Sequence, residues 1–179
     1  METQLAQALQ NRLYFVLEQL QSMAKELPVK YQQRINHELL SGLANTLLHD
    51  TIFEIVKGLK DIQDVTEKHL FQSRLKFLEQ QRLERHSLKE KKGTSPEYTS
   101  ELKRIQTKQR MEQKQNDMKI IMQIDQKVSD QQVMMEKAGV PGFHVTNDPS
   151  EIRLQMYLFE FIFRLSEMPL PPAMQEEEG

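Results

Sequence analysis

The chain has 179 residues, of which 38% are hydrophobic and 28% charged, with a formal net charge of −2. That balance is too polar for a large compact globule and too apolar for a disordered chain. The absence of cysteine excludes disulfides, thiolate metal sites and thiol nucleophiles.

Six glycines and no tryptophan favour helix over sheet. The first residues, Met1 to Gln4, show no basic stretch followed by an apolar run, so no signal peptide is expected. No run approaches the ~18 apolar residues of a membrane span. These features predict a nuclear or cytoplasmic protein with no transmembrane segment.

In chain order, Leu5, Leu9, Leu13, Val16, Leu20, Met23 and Leu27 recur at steps of three or four, which is one stripe of an amphipathic helix. Pro28 ends it, because the residue before proline is pushed out of the α region. A second helix of roughly five turns is predicted from the face formed by Ile35, Leu39, Leu43 and Leu47, widened by Leu40, Ala44 and Leu48. Asp50 or Thr51 can cap a third helix, with Glu54 at capping-box spacing. Nothing breaks this helix before Gly93, Thr94, Ser95 and Pro96. Ser95 and Pro96 suit the start of a fourth helix, which Gly139 can close and Pro141 must stop.

Two long helices joined by a Gly/Pro turn predict an antiparallel coiled-coil hairpin. A turn at residues 93–96 sets Leu88 against Leu102, Leu83 against Ile105, Leu78 against Met111 and Phe71 against Met118. Nearer the base it sets Val65 against Ile124, Ile62 against Val128 and Ile55 against Met135. Pro141 and Gly142 suit the centre of a type II turn, and the alternation of Phe143 and Val145 suits a brief extended segment. Asp148, Pro149 and Glu151 then start a last helix, so apolar (Ile152, Leu154, Met156, Leu158, Phe159, Phe161, Ile162, Phe163, Leu165) that it is expected to be buried or to bind something. The expected fold class is all-α, a long antiparallel coiled-coil hairpin with a small helical head. Residues 1–66 and 121–168 form the head, 67–120 the arm, and 169–179 a disordered acidic tail.

Residues 67–120 hold 14 Lys+Arg and 8 Asp+Glu, so the arm is basic while the remainder is acidic. Arg82, Arg85, Lys89, Lys91, Lys92, Lys103 and Arg104 form a candidate basic patch. A solvated coiled-coil exterior accounts for such a patch most simply; binding of an acidic partner or of nucleic acid through the arm is the alternative. Only Tyr98 and Phe77 accompany these charges, which argues against base stacking and against nucleic acid as a partner.

No catalytic arrangement is present. His37, His49, His69, His86 and His144 stand apart with no His-Glu-x-x-His spacing. Gly139 to Gly142 lacks the Lys-Ser/Thr of a phosphate loop, and no Gly-x-Ser-x-Gly elbow occurs. The pairs Asp61/Asp64 and Asp125/Asp130 read as solvated helix carboxylates. No enzyme activity, cofactor or metal is expected. Gln131 and Gln132 fall at or beside a seam position, where a glutamine can fix register or partner choice or simply face water.

Several runs resemble a known family. They are Lys25–Pro28 with Gln32, Gln33 and Arg34; Phe53–Val56 with Gly58, Leu59, Ile62, Gln63, Thr66, Glu67, Lys68 and Leu70; and Asp125, Lys127, Val128, Asp130, Gln131 and Gln132, leading into Lys137–Val140, Gly142, Phe143, Val145 and Thr146. Gln155 and Met156 extend the last run. Together they resemble the DiGeorge syndrome critical region and insect gonadal protein family, over roughly residues 20–75 and 118–165 and only weakly over the arm tip, 80–115, and the acidic tail. The resemblance implies a small coiled-coil protein, nuclear or cytoplasmic, linked to development in neural-crest derivatives or gonad. It implies no catalytic activity or cofactor, and so transfers no site residues. The expected function is that of an adaptor or scaffold with protein partners, a homodimer among them. Val140, Pro141, Gly142, Phe143 and Val145, with Gln131 and Gln132, are its candidate binding residues, with packing of Phe143 and Val145 into the core as the alternative. A membrane-peripheral role for the apolar last helix is a further alternative.

Overall fold

The computed structural model describes residues 2–171, and among them all regular structure is helical: α1 (Glu2–Lys25), α2 (Val29–Gln32), α3 (His37–Thr46), α4 (Thr51–Lys92), α5 (Tyr98–Lys137) and α6 (Pro149–Ser166). The acidic residues Glu176–Glu178 lie outside the described residues. The chain divides into two compact units, Met1–Asp61 with Ser129–Gly179, and Ile62–Val128.

The first unit holds one apolar core. The α1 stripe buries Val16, Leu20 and Met23, and Leu27 continues it after the helix ends. These pack with Leu40, Leu43, Ala44 and Leu47, with Phe53 and Val56 from the start of α4, and with Met135 from the end of α5. From α6 come Leu154, Leu158, Phe159, Phe161, Ile162 and Leu165, all buried. These apolar side chains of α6 are thus absorbed by the core, the outcome hydrophobic burial favours. Tyr31 and Tyr157 meet edge to face with ring centroids 5.1 Å apart.

The expected five-turn second helix is two helices. Asn36 interrupts it: in an extended conformation, its side chain accepts the Leu39 N–H at 2.8 Å and caps α3. The residue type is a preferred N-cap, and the break lets both Tyr31 and Ile35 turn into the core. Phe143–Val145 forms no strand; it is irregular chain held by side chains.

In the unit Ile62–Val128, partners on α4 fall in number as those on α5 rise. Lys92 pairs with Glu101 at 2.8 Å, Arg85 donates to Gln109 at 2.6 Å, Gln81 accepts from Gln113 at 2.7 Å, and Arg74 pairs with Asp117 at 3.0 Å. At the centre, Gln81 Nε2 donates to the Gln109 carbonyl at 3.1 Å and Gln109 Nε2 returns a bond to the Gln81 carbonyl at 2.9 Å.

The apolar seam expected here is kept at Leu88, which is buried, and lost over much of its length. Val65, Phe71, Leu83, Met111, Met118 and Ile124 are exposed, whereas Leu70, Gln81 and Gln109 are buried. Leu70 takes the place expected of Phe71, while Phe77 and Leu78 are both half-buried. In the adjacent pair Leu70-Phe71 either member could face inward, and hydrophobicity alone does not choose. The reciprocal amides of Gln81 and Gln109 do, because burying them elsewhere would leave polar groups unpaired.

Candidate protein-binding surfaces

The segment after α5 is built by local chemistry. Gly139 takes φ +77°, its N–H bonds the Glu136 carbonyl at 3.0 Å, and the Val140 N–H reaches back to the Met135 carbonyl at 3.1 Å. That pair of bonds is the Schellman closure, with Val140 and Met135 both buried as its apolar contact. Gly142 follows Pro141 with φ +86°, the value a type II turn needs at its second central residue. Asp148 then caps α6, accepting from Ser150 N–H at 2.8 Å and Glu151 N–H at 3.4 Å.

Two buried amides hold the segment between these ends. Gln132 accepts the Thr146 N–H at 3.3 Å and donates to its carbonyl at 3.4 Å. Gln155, on α6, donates to the His144 carbonyl at 3.0 Å. Gln132 is therefore a clamp on the loop, while Gln131 is half-buried beside it. Val140 and Phe143 point into the core, Pro141 is half-buried, and Val145 is 55% exposed. Of the large apolar side chains in this candidate site, Val145 alone is exposed. Nearby, Glu151 forms an ion pair with Arg34 and lies 3.9 Å from His144 Nε2.

The two glycines differ in a testable way. A Cβ on Gly142 would stand 2.9 Å from Leu158 Cδ1 and 3.4 Å from Leu39 Cδ1, whereas one on Gly139 would meet nothing within 4 Å. Gly142→Ala should therefore lose ~2–3 kcal/mol, combining left-handed strain with overpacking. Gly139→Ala should lose about 1 kcal/mol, from strain alone. Chemical denaturation of the two variants checks the ranking, and equal losses would refute the close approach at Gly142.

The candidate basic residues are dispersed over α4 and α5. Arg82 is held by Glu79 at 2.6 Å, Arg85 by Gln109 and Lys92 by Glu101, while Lys89, Lys91, Lys103 and Arg104 are exposed. The hydrogen bond and charge of Arg82 lower the Glu79 pKa, and Glu79 in turn raises that of Arg82. Glu101 raises the Lys92 pKa. Glu84, with a smaller contribution from Glu112, raises that of Lys108. These pairs are solvent-exposed, so salt screens them and they add little to stability.

Sequence reasoning missed Arg12, which is 2% exposed within the first unit. Its Nε donates to the Leu47 carbonyl at 3.0 Å, Nη1 to the Pro171 carbonyl at 3.2 Å and Nη2 to Asp50 at 2.8 Å; its guanidinium carbon lies 5.6 Å from the Phe53 ring centroid. The available signal was its place four residues before Val16, on the buried stripe. Gln155, Gln81 and Gln109 were missed for a similar reason: polar residues at apolar-stripe positions read as solvent-facing.

Among the described residues no group of three or more His, Asp or Glu side chains could hold a metal ion, and no helix is long and apolar enough to cross a membrane. The fold and its surfaces define an all-α protein with a single apolar core in its first unit and an outward-facing apolar and charged surface on its second. The model of the DiGeorge syndrome critical region 6 (DGCR6) protein family matches residues 2–172, and the chain belongs to that family. It is 42% identical to the gonadal protein gdl of Drosophila melanogaster over 165 residues, covering 92% of this chain and 85% of that protein. It is 41% identical to protein DGCR6 of Gallus gallus over 173 residues, covering 88% and 86% respectively. No solved structure matches.

Proposed function

We propose that this member of the DGCR6 family is a non-enzymatic adaptor or scaffold. It engages protein partners through α4 and α5, which form a long antiparallel coiled-coil hairpin turning at Gly93–Pro96. The opposed numbering of the α4 and α5 partners supports the hairpin. The adaptor reading rests on one observation. The unit Ile62–Val128 buries Gln81 and Gln109 while leaving Val65 at 69%, Phe71 at 63%, Met111 at 62% and Met122 at 68% exposure. A unit that keeps amides inside and large apolar side chains outside is arranged for association, because exposed apolar clusters of this extent mark interaction surfaces. Methionine suits such a surface, being flexible and polarisable. The family relationship supports a developmental role of neural-crest or gonadal type, exercised in the nucleus, the cytoplasm or both.

The test is proximity labelling in cells of the full chain and of the triple variant Val65→Gln, Phe71→Gln, Leu75→Gln, all on exposed positions of α4. The variant should keep native circular dichroism and lose a defined subset of labelled proteins. An unchanged labelled set would remove the adaptor reading.

A further inference from the structure

We infer that the outer stripe of α5 docks a second copy of this chain, with the two α5 helices running in opposite directions about a two-fold axis near Gln115. This deepens the adaptor reading and rests on it: the surface is the same exposed unit, now with a stated occupant.

From Arg104 to Asp125, exposed residues of α5 recur at alternating steps of four and three, through Lys108, Met111, Gln115, Met118 and Met122. That is the seam spacing of a helix pair, and it lies on the side of α5 away from the buried Gln109. The seam is about 30 Å long at 1.5 Å per residue. It is graded in charge. Its amino end is basic (Arg104, and Lys108 shared with Glu84 and Glu112), its middle is methionine, and its far end is Asp125. A second copy laid antiparallel brings its acidic end against this basic end, and the reverse, with the methionines facing each other between them. A parallel copy would stack Arg104 on Arg104 and Asp125 on Asp125, which like-charge repulsion disfavours. The antiparallel pairing is self-complementary, as a two-fold interface must be.

The apolar part of the seam is Met111, Met118 and Met122, which are between 56% and 68% exposed. Methionine suits a self-association surface because its unbranched, polarisable side chain adapts to its partner.

The absence of cysteine makes the test direct, since a single introduced thiol is the chain's only one. Under mild oxidation, Gln115→Cys should form a covalent dimer on a non-reducing gel, and Arg104→Cys should not. Sedimentation of the unmodified full chain should give twice its 21.1 kDa mass. Met111→Glu with Met118→Glu should weaken association by at least about tenfold with helicity unchanged. Asp125→Arg should also weaken it, and Arg104→Asp in the same chain should restore it. A monomeric chain overturns the proposal, whether the seam then binds nothing or a helix of another protein. Crosslinking through both cysteines, the parallel result, overturns it as well. If the double methionine variant misfolds, the cysteine pair still decides. A monomer whose labelled partners remain dependent on Val65, Phe71 and Leu75 would sink this inference and leave the adaptor reading standing.

Discussion

Replacing Arg12 with alanine should cost the first unit about 2–4 kcal/mol of unfolding free energy, chiefly through the carbonyls that lose a charged donor, since Asp50 is itself 65% exposed and stays solvated. The guanidinium sits 2% exposed and supplies donors to the Leu47 and Pro171 carbonyls and to Asp50. Alanine would leave those carbonyls with a lost partner, open a void beside Phe53, and release the chain after α6 from its hold on α1. Arg12→Lys should recover only part of the loss. One ammonium cannot reproduce a planar fork that bonds three acceptors at once, and a deficit of about 1–2 kcal/mol should remain. Urea denaturation followed by circular dichroism measures both. A loss below about 1 kcal/mol for Arg12→Ala would mean that water satisfies the same carbonyls.

Phe143→Ser should destabilise the chain by about 3–5 kcal/mol, while Val145→Ser, two residues away, should change it by no more than about 0.5 kcal/mol. Phe143 is 7% exposed and belongs to the core cluster, whereas Val145 is 55% exposed. Serine at the first position combines a cavity with a buried hydroxyl; at the second it meets water. The contrast separates two positions within one loop: Phe143 anchors the segment to the core, and Val145 is left in solvent. A melting temperature for Phe143→Ser equal to that of the parent would show the ring to be dispensable to the core.

Much of the local architecture was legible in the residues alone. Asp148-Pro149 at the start of α6, Gly139 at the end of α5 and the Pro141-Gly142 turn all behave as their side chains dictate, because capping and left-handed backbone are decided within a few residues. Asn36 carried the same kind of information, but the apolar face from Ile35 to Leu47 read as continuous across it. Phe143 and Val145 were a different case. Alternation along an extended segment separates its two sides without saying which of them is covered. The clamps that turn Phe143 inward come from Gln132 and Gln155, the latter on another helix.

By itself, the sequence determined the helical class, the ends of most helices, the stripe that α1 buries and the absence of thiol chemistry, since each follows from composition or from residues within one or two turns. Only the tertiary structure decided that Arg12 and the four glutamines go inside, that Leu70 and not Phe71 faces inward, and that α6 is core. Each of these buried polar side chains finds at least one donor or acceptor, and those partners lie between 11 and 159 residues away along the chain, where no local pattern records them.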